Sequence, residues 1–482
     1  MLVMLDNSNP LEIPELLRRI SLYVTTNDAT ACARVCKAWS DHFISAIWHI
    51  IDFDAPGVNR ATKSLAKHGH HIRVVKNIHK LDHFLALITS NPSNLRQLSV
   101  VLTESRVEYA YFIDLLRRVN TSLEHIEIYT FEEKDAVPYF AVDNMFPATR
   151  TGMTSRLSTI IIQYLNMTKD ALSSLLQNCP LLNDLDIRDT TLLPWPIHDG
   201  STARSYKHTG VTRLVASVEQ VFEMNQRIEN ASSLLVHFPN LKTWQTWVSK
   251  SSGPDNFSVK LIRDDVARCC PLMEDVFMES STPLAISILT QAFDGLTSVR
   301  ILHSDFSAEM AMAILNHQET LRAVATSLDE SNEFDGLHYD LESGLSSSTD
   351  SQRDTIELIA QSIPRHCARL EKLECPLAEM DMVNIEMTEW KCHSLGELYI
   401  RIRGLDTKVK IDRAIHLWKD GRIAMRKKQV SAGHKESFSA TLQLDNIIPP
   451  DDNSIEAHVA RHLLKFKKLR KVWLGWRVHE VM

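Results

Sequence analysis

Along most of this chain the apolar positions repeat one short pattern. An aliphatic or aromatic residue occupies the first, fourth and sixth places of a hexad, with polar residues mostly between them. The pattern falls at Leu95/Leu98/Val100, Leu123/Ile126/Ile128, Leu157/Ile160/Ile162, Leu182/Leu185/Ile187, Leu241/Trp244 and Met273/Val276/Met278. It returns at Leu296/Val299/Ile301, Leu321/Val324, Leu370/Leu373/Cys375, Leu395/Leu398/Ile400 and Leu469/Val472/Leu474. Alternation across the end of each hexad marks a strand with one buried face. Most short steps between hexads lie near 25 residues, and the long steps read as missed or inserted units. Helical stripes fill the gaps at 168–180, 307–318, 354–363 and 454–466. Pro180, Pro239 and Pro271 each stand two residues before the opening apolar position of a hexad, where a helix has to stop. Strand and helix alternating at a near-constant step predict parallel strands joined by crossover helices. So many repeats without a glycine-rich turn favour a solenoid over an ordinary α/β domain.

The first fifty residues follow a different rule. In "NPLEIPELLRRISLYV", Ile13, Leu16, Leu17 and Ile20 share one face of a helix that Pro14 opens. "TTND" breaks it, and Asn27 or Asp28 is the expected N-cap of the next helix. From Ala29, the residues Cys32, Val35, Cys36 and Trp39 again fall on one helical stripe. Two cysteines at that spacing read as buried apolar neighbours, because a structural zinc site wants four ligands and "HGHH" at 68–71 does not supply the others. The eight cysteines follow no disulfide framework and are expected to be reduced and mostly buried.

Composition narrows the classes. Hydrophobic residues make up 44% and charged residues 23%, as in a water-soluble globular protein. A formal charge of −7 argues against a general nucleic-acid binder. The sequence holds no P-loop, dinucleotide fingerprint, zinc-protease helix or nucleophile elbow, and no catalytic, cofactor-binding or metal-binding residues are expected. With no membrane span or signal core in the sequence, a cytoplasmic or nuclear location is expected. The runs "RIAMRKK" (422–428) and "KFKKLRK" (465–471) read as solvated helix faces, with an anion site or nuclear signal as the alternative.

Two resemblances carry the functional expectation. Ile13-Pro14, Glu15-Leu16-Leu17, Val35-Cys36-Lys37-Ala38-Trp39 and Ile47-Trp48 resemble the F-box, with Ile13 where that family usually has Leu. The resemblance implies a small three-helix domain at residues 9–53 that binds a Skp-type adaptor, and through it a cullin. Its implied contacts are Ile13, Pro14, Leu16, Leu17, Ile20, Val35, Cys36, Trp39 and Trp48. The hexads and the "NCPLL" and "CCPLM" helix ends resemble leucine-rich repeats, with Thr103, Thr190, Ser249, Ser281 and Ser304 where that family prefers Asn or Cys. The fold class expected is an α/β solenoid of irregular leucine-rich repeats with parallel strands on the concave face, over residues 91–482. Residues 54–90 are expected to be linker and capping helices, with insertions near 190–235, 330–355 and 403–455.

Together the two resemblances imply the substrate-recognition subunit of an SCF-type ubiquitin ligase, without bond chemistry of its own. The alternative is a recognition scaffold that uses the F-box for assembly only. The polar places within the hexads are expected to line the open face of the sheet and to meet an unknown target protein, with neither nucleic acid nor membrane as a partner. The candidates are Asp184, Asp186, Asp275, Phe277, Tyr399, Arg401 and Trp473, acidic in the middle repeats and mixed cationic and aromatic in the later ones.

Overall fold

A computed structural model of the chain describes residues 13–56, 58–103, 105–130, 155–188, 190–193, 206–222, 234–247, 264, 266–279, 283–302, 308–327, 357, 360–431, 448, 452–475 and 477–480. They fall into two compact units, Met1–Ala216 and Ser217–Met482.

The first unit opens with three helices, α1 (Pro14–Ser21), α2 (Thr26–Ala33) and α3 (Lys37–Ile47). Pro14 occupies the first turn of α1, where its missing N–H is harmless, with Glu15 in that turn and Arg18 and Arg19 in the last. The N-cap of α2 is Thr25, not Asn27 or Asp28: its hydroxyl accepts the Asp28 amide at 3.2 Å and donates to the Asp28 carboxylate at 2.7 Å. The single stripe from Ala29 to Trp39 is also corrected. The chain turns at Arg34 and Val35, and Cys36 is the extended N-cap of α3. The break has a packing cause. A straight helix would hold Ala29 and Phe43 about 21 Å apart at about 1.5 Å per residue; folding back brings both onto Leu17 in one small core.

The rest of this unit alternates strand and helix: β1 (Ile50–Asp52), α4 (Val58–His68), β2 (Val74–Ile78), α5 (Leu81–Ser90), β3 (Gln97–Leu102), α6 (Arg106–Val119), β4 (His125–Thr130), β5 (Thr159–Gln163), β6 (Asn166–Thr168), α7 (Lys169–Asn178), β7 (Asp184–Asp186), β8 (Thr191–Leu193) and β9 (Arg213–Val215). Strands β1-β2-β3-β4-β5-β7-β9 form a parallel sheet in that order, and β6 and β8 a small second ladder. The sheet therefore begins at Ile50. Residues 54–90 contain one of its strands, with Ile72 and Val75 buried at the first and fourth places of the pattern, and the segment near 190–235 contains β9, with Val211 and Leu214 buried likewise.

In the second unit the elements are α8 (Val218–Phe222), β10 (Thr243–Trp247), β11 (Asp275–Glu279), α9 (Pro283–Ala292), β12 (Ser298–Leu302), α10 (Ala308–Leu315), β13 (Ala323–Ser327), β14 (Lys372–Met380), α11 (Met382–Glu386), β15 (Glu397–Ile402), α12 (Lys408–Ser431), α13 (Ile455–Leu464), β16 (Lys471–Leu474) and β17 (Arg477–Glu480). Strands β10 to β16 pair in parallel, and β17 folds back antiparallel on β16. The described part of the 403–455 excursion is mostly α12. The loop near 330–355 lies outside the described residues.

All eleven hexads carry strands, and their apolar places align across the ladder. Leu98, Ile126, Ile160, Leu185 and Leu214 stand in register in the first unit, as do Trp244, Val276, Val299, Val324, Leu373, Leu398 and Val472 in the second, all buried. A repeated backbone device sets this register: the carbonyl before each strand accepts two consecutive amides of the next repeat. Arg96 and Gln97 donate to Arg73, Glu124 and His125 to Arg96, Arg322 and Ala323 to Thr297, and Arg470 and Lys471 to Gly396. Buried imidazoles reinforce it. His208 accepts the Gly210 and Val211 amides at Nδ1 and donates from Nε2 to the Cys179 carbonyl; His317 likewise bridges Leu296 N and Thr290 O. Thr190, at a turn position read from the sequence, donates to the Ile162 carbonyl at 2.9 Å. Strand and helix alternate through each unit, giving an α/β fold with a large parallel sheet.

Candidate interaction surfaces

The helical module divides its apolar residues between an interior and an exterior. Leu17 is 2% exposed and packs with Ala29 and Phe43, with Val24, Cys32, Trp39 and Ile47 around them. Leu16 and Ile20, on the flank of the same helix beside Leu17, are each 39% exposed, Val35 is 63% and Tyr23 83%. The spacing that placed Ile13, Leu16, Leu17 and Ile20 on one stripe therefore straddles two faces. Two tryptophans expected at the adaptor face are engaged within the chain instead. Trp39 stacks on Phe43 at 5.6 Å, and Trp48 stacks on His68 of α4 at 4.8 Å. Both are half-buried aromatic surfaces with an internal partner at hand. Pro14 and Cys36 are exposed and Ile13 partly so. Cys36 is thus no buried thiol; among the others, six are buried and Cys32 is intermediate. Burial pushes Cys179, Cys270, Cys367, Cys375 and Cys392 up to about 12, which keeps them from acting as thiolates at neutral pH.

On the first unit's open face, strand register sets the polar residues in rows. Gln97, His125, Thr159, Asp184 and Arg213 form one row, and Ser99, Glu127, Ile161, Asp186 and Val215 the next. The acidic character expected here is neutralised in place. Asp184 bonds Arg213 at 2.8 Å, and Asp186, only 3% exposed, bonds the Arg188 guanidinium at 2.8 Å and its amide at 3.0 Å. Sequence spacing named the acids but could not show that Arg213 lies one strand away. Beside them, Glu127 is held by His125 at 2.8 Å and by the Tyr129 hydroxyl. These bonds bring the Glu127 carboxyl down to about 2, and burial together with that carboxylate pushes Tyr129 up to about 12. Ser99 bonds Glu127 and Tyr129, so the cluster keeps a carboxylate ionised and does not activate a nucleophile.

On the second unit's open face one row runs Gln245, Phe277, Arg300, Ala325, Glu374, Tyr399 and Trp473; the row beside it runs Thr243, Asp275, Ser298, Ala323, Lys372, Glu397 and Lys471. Phe277 is buried under the Arg300 guanidinium, 5.3 Å above its ring, and Asp275 is tied to Thr297 at 3.2 Å; neither is a free contact. Burial raises Asp275 above the usual carboxylate range. The later strands differ. Tyr399 and Trp473 lie with ring centres 5.8 Å apart, the Lys471 ammonium stands 4.2 Å over the Trp473 ring, and Arg401 pairs in register with Glu379. Of the seven candidate target contacts, Tyr399, Arg401 and Trp473 come together here.

Among the described residues no group of three or more His, Cys, Asp or Glu is placed to hold a metal ion, and no helix is long and apolar enough to cross a membrane. No protein-family model and no curated protein matches the sequence. Solved structures similar to the chain include a protein from Bacteroides fragilis, at 13% identity and a TM-score of 0.32 over 58% of this chain and 80% of that one. They also include the complex of Rad7 and Elc1 in yeast, at 13% identity and a TM-score of 0.37 over 81% of this chain and 86% of that one. Likeness at this level assigns no partner to the chain.

Proposed function

We propose that this chain is the substrate-recognition subunit of an SCF-type cullin-RING ubiquitin ligase. Its three N-terminal helices bind a Skp-type adaptor, and through it a cullin, while the repeats hold the protein to be modified. It performs no bond chemistry; its contribution is to hold target and ligase together, so that transfer becomes in effect intramolecular. The observation that carries the reading is the divided helical module. Its interior is filled by Leu17, Ala29 and Phe43, yet Leu16, Ile20, Tyr23 and Val35 remain exposed in the very stretch whose sequence resembles an F-box.

The decisive test is capture of purified Skp-type adaptor by the full chain and by a Leu16→Glu/Ile20→Glu variant. Both side chains are exposed, so the fold should be unaffected, while a carboxylate buried against an apolar partner should weaken capture by about a hundredfold or more. Capture by the variant at the native level, or no capture by the native chain, would overturn the reading. Adaptor capture without co-purification of a cullin would leave only an assembly role.

A further inference from the structure

One cation of the 422–428 run, Arg422, meets the 465–471 run in the second unit. Its guanidinium, on α12, donates to the backbone carbonyls of Phe466 at 3.2 Å and Lys467 at 2.8 Å. Lys465, Lys467, Lys468 and Arg470 are all exposed on the turn between α13 and β16. The Lys468 ammonium reaches the Ser394 hydroxyl at 3.4 Å, bringing in the turn that carries exposed Lys391 and His393. Three carboxylates of this unit pair with other groups: Glu371 with Arg322 at 3.6 Å, Asp420 with His416 at 3.3 Å and Glu386 with His458 at 2.7 Å.

The patch runs directly into the aromatic end of the open face. Arg470 and Lys471 both donate their amides to Gly396, and Lys471 in turn covers Trp473, which neighbours Tyr399. An exposed cation cluster is thus joined to a half-buried aromatic pair across two paired strands and the entry turn of the second.

We infer that this end of the second unit captures a short acidic protein segment bearing an aromatic or large aliphatic side chain. The segment's carboxylates lie against Lys465, Lys467, Lys468 and Arg470, and its apolar side chain lies on Trp473 and Tyr399. This inference rests on the target-holding role proposed for the repeats and specifies the chemistry of the target. Charge complementarity supplies the steering and the rings supply the anchor. A nucleic-acid strand fits less well, because its phosphates would follow the rings across Glu374 and Glu397, the register neighbours of Tyr399 and Lys471. A peptide turns its apolar side there and needs no charge over those carboxylates.

The test is fluorescence anisotropy of the full chain with a short labelled peptide in which Glu and Asp alternate with Phe. Its controls are the Lys-for-Glu version of the peptide, labelled oligothymidylate and phosphatidylserine vesicles. Expected is binding of the acidic peptide alone that weakens with added salt. Lys465→Glu, Lys467→Glu, Lys468→Glu and Arg470→Glu together should weaken it by at least about tenfold, and Trp473→Ala by a similar factor. The corresponding four Gln substitutions, on exposed side chains, should give a smaller loss with the fold kept. Equal binding of oligothymidylate or vesicles, or a charge-reversed variant that binds the peptide undiminished, would overturn the inference. The Leu16→Glu/Ile20→Glu variant should bind the peptide normally. Peptide binding by a chain that captures no adaptor upholds this site and sinks the ligase reading; adaptor capture without peptide binding does the reverse.

Discussion

Glu357 makes a demanding test of how the later repeats are held. Its carboxylate is 1% exposed and accepts four bonds: from Gln361 at 2.9 Å, the Asp381 amide at 2.7 Å, the Asn384 amide group at 2.8 Å and Arg403 at 3.3 Å. The network ties the end of β14 to α11 and to the residue that follows β15, the strand carrying Tyr399 and Arg401. Replacing Glu357 by Ala strips the acceptor from the Asp381 N–H and the Asn384 amide, each left unmet at about 1–3 kcal/mol. The Arg403 contribution is small, because its side chain is 43% exposed and can turn to water. The total expected is about 3–5 kcal/mol, the usual result of removing one partner from a buried charged network. Glu357→Gln keeps an acceptor but turns a donor toward donors, and should cost roughly half as much. Because the chain has two compact units, the proper readout is local: hydrogen exchange at the Asp381 amide, not a global melt. At about 1.4 kcal/mol per tenfold, protection in the Ala variant should fall by about a hundredfold or more. Protection within about fivefold of native would refute the view that this carboxylate organises the turn.

Two further outcomes are expected. His462 is 4% exposed, packs edge-on to Trp390 at 4.8 Å and Phe466 at 5.3 Å, and neither ring nitrogen has a hydrogen-bond partner among the described residues. Burial lowers its pKa to about 3 from the ordinary 6.5. The unfolded chain therefore takes up a proton that the folded chain refuses, so stability is complete above pH 6.5 and falls as pH drops from there toward 3. His462→Phe should flatten that slope in denaturant titrations run across the window, and an unchanged slope would count against it. Gly69 has no room for a side chain: a Cβ there would lie 1.8 Å from the backbone oxygen of Ser90. Gly69→Ala should force the 69–71 turn from α5 and lower the thermal midpoint by several degrees, whereas Ala at exposed Leu85 should leave it nearly unchanged.

The eleven hexads were legible because a strand buried on one face writes its period directly into the residues, and each also names its register neighbour in the next repeat. The same period identified the helices at 168–180, 307–318 and 454–466. Strands β1, β2 and β9 went unread although Trp48/Ile51/Phe53, Ile72/Val75 and Val211/Leu214 stand at hexad places; β2 is further broken by a register shift after Val75 and a positive φ at Asn77, and β17 pairs antiparallel after a turn at Gly475. Which apolar residues of the first helix face inward was not legible. Leu16 and Leu17 are adjacent and equally apolar, and only the fold-back of α2 and α3 decides that Leu17 is covered and Leu16 is not. Neither were the charge partnerships. Asp184 finds Arg213, Glu357 finds Arg403 and Arg422 finds Phe466 across separations of dozens of residues, and nothing local in the chain encodes those meetings. Sequence by itself determined the repeat, its parallel sheet and the apolar rows. Tertiary packing alone decided which charges are neutralised, which cations gather on one surface, and which apolar side chains stay exposed, because charge and exposure depend on neighbours brought together only by folding.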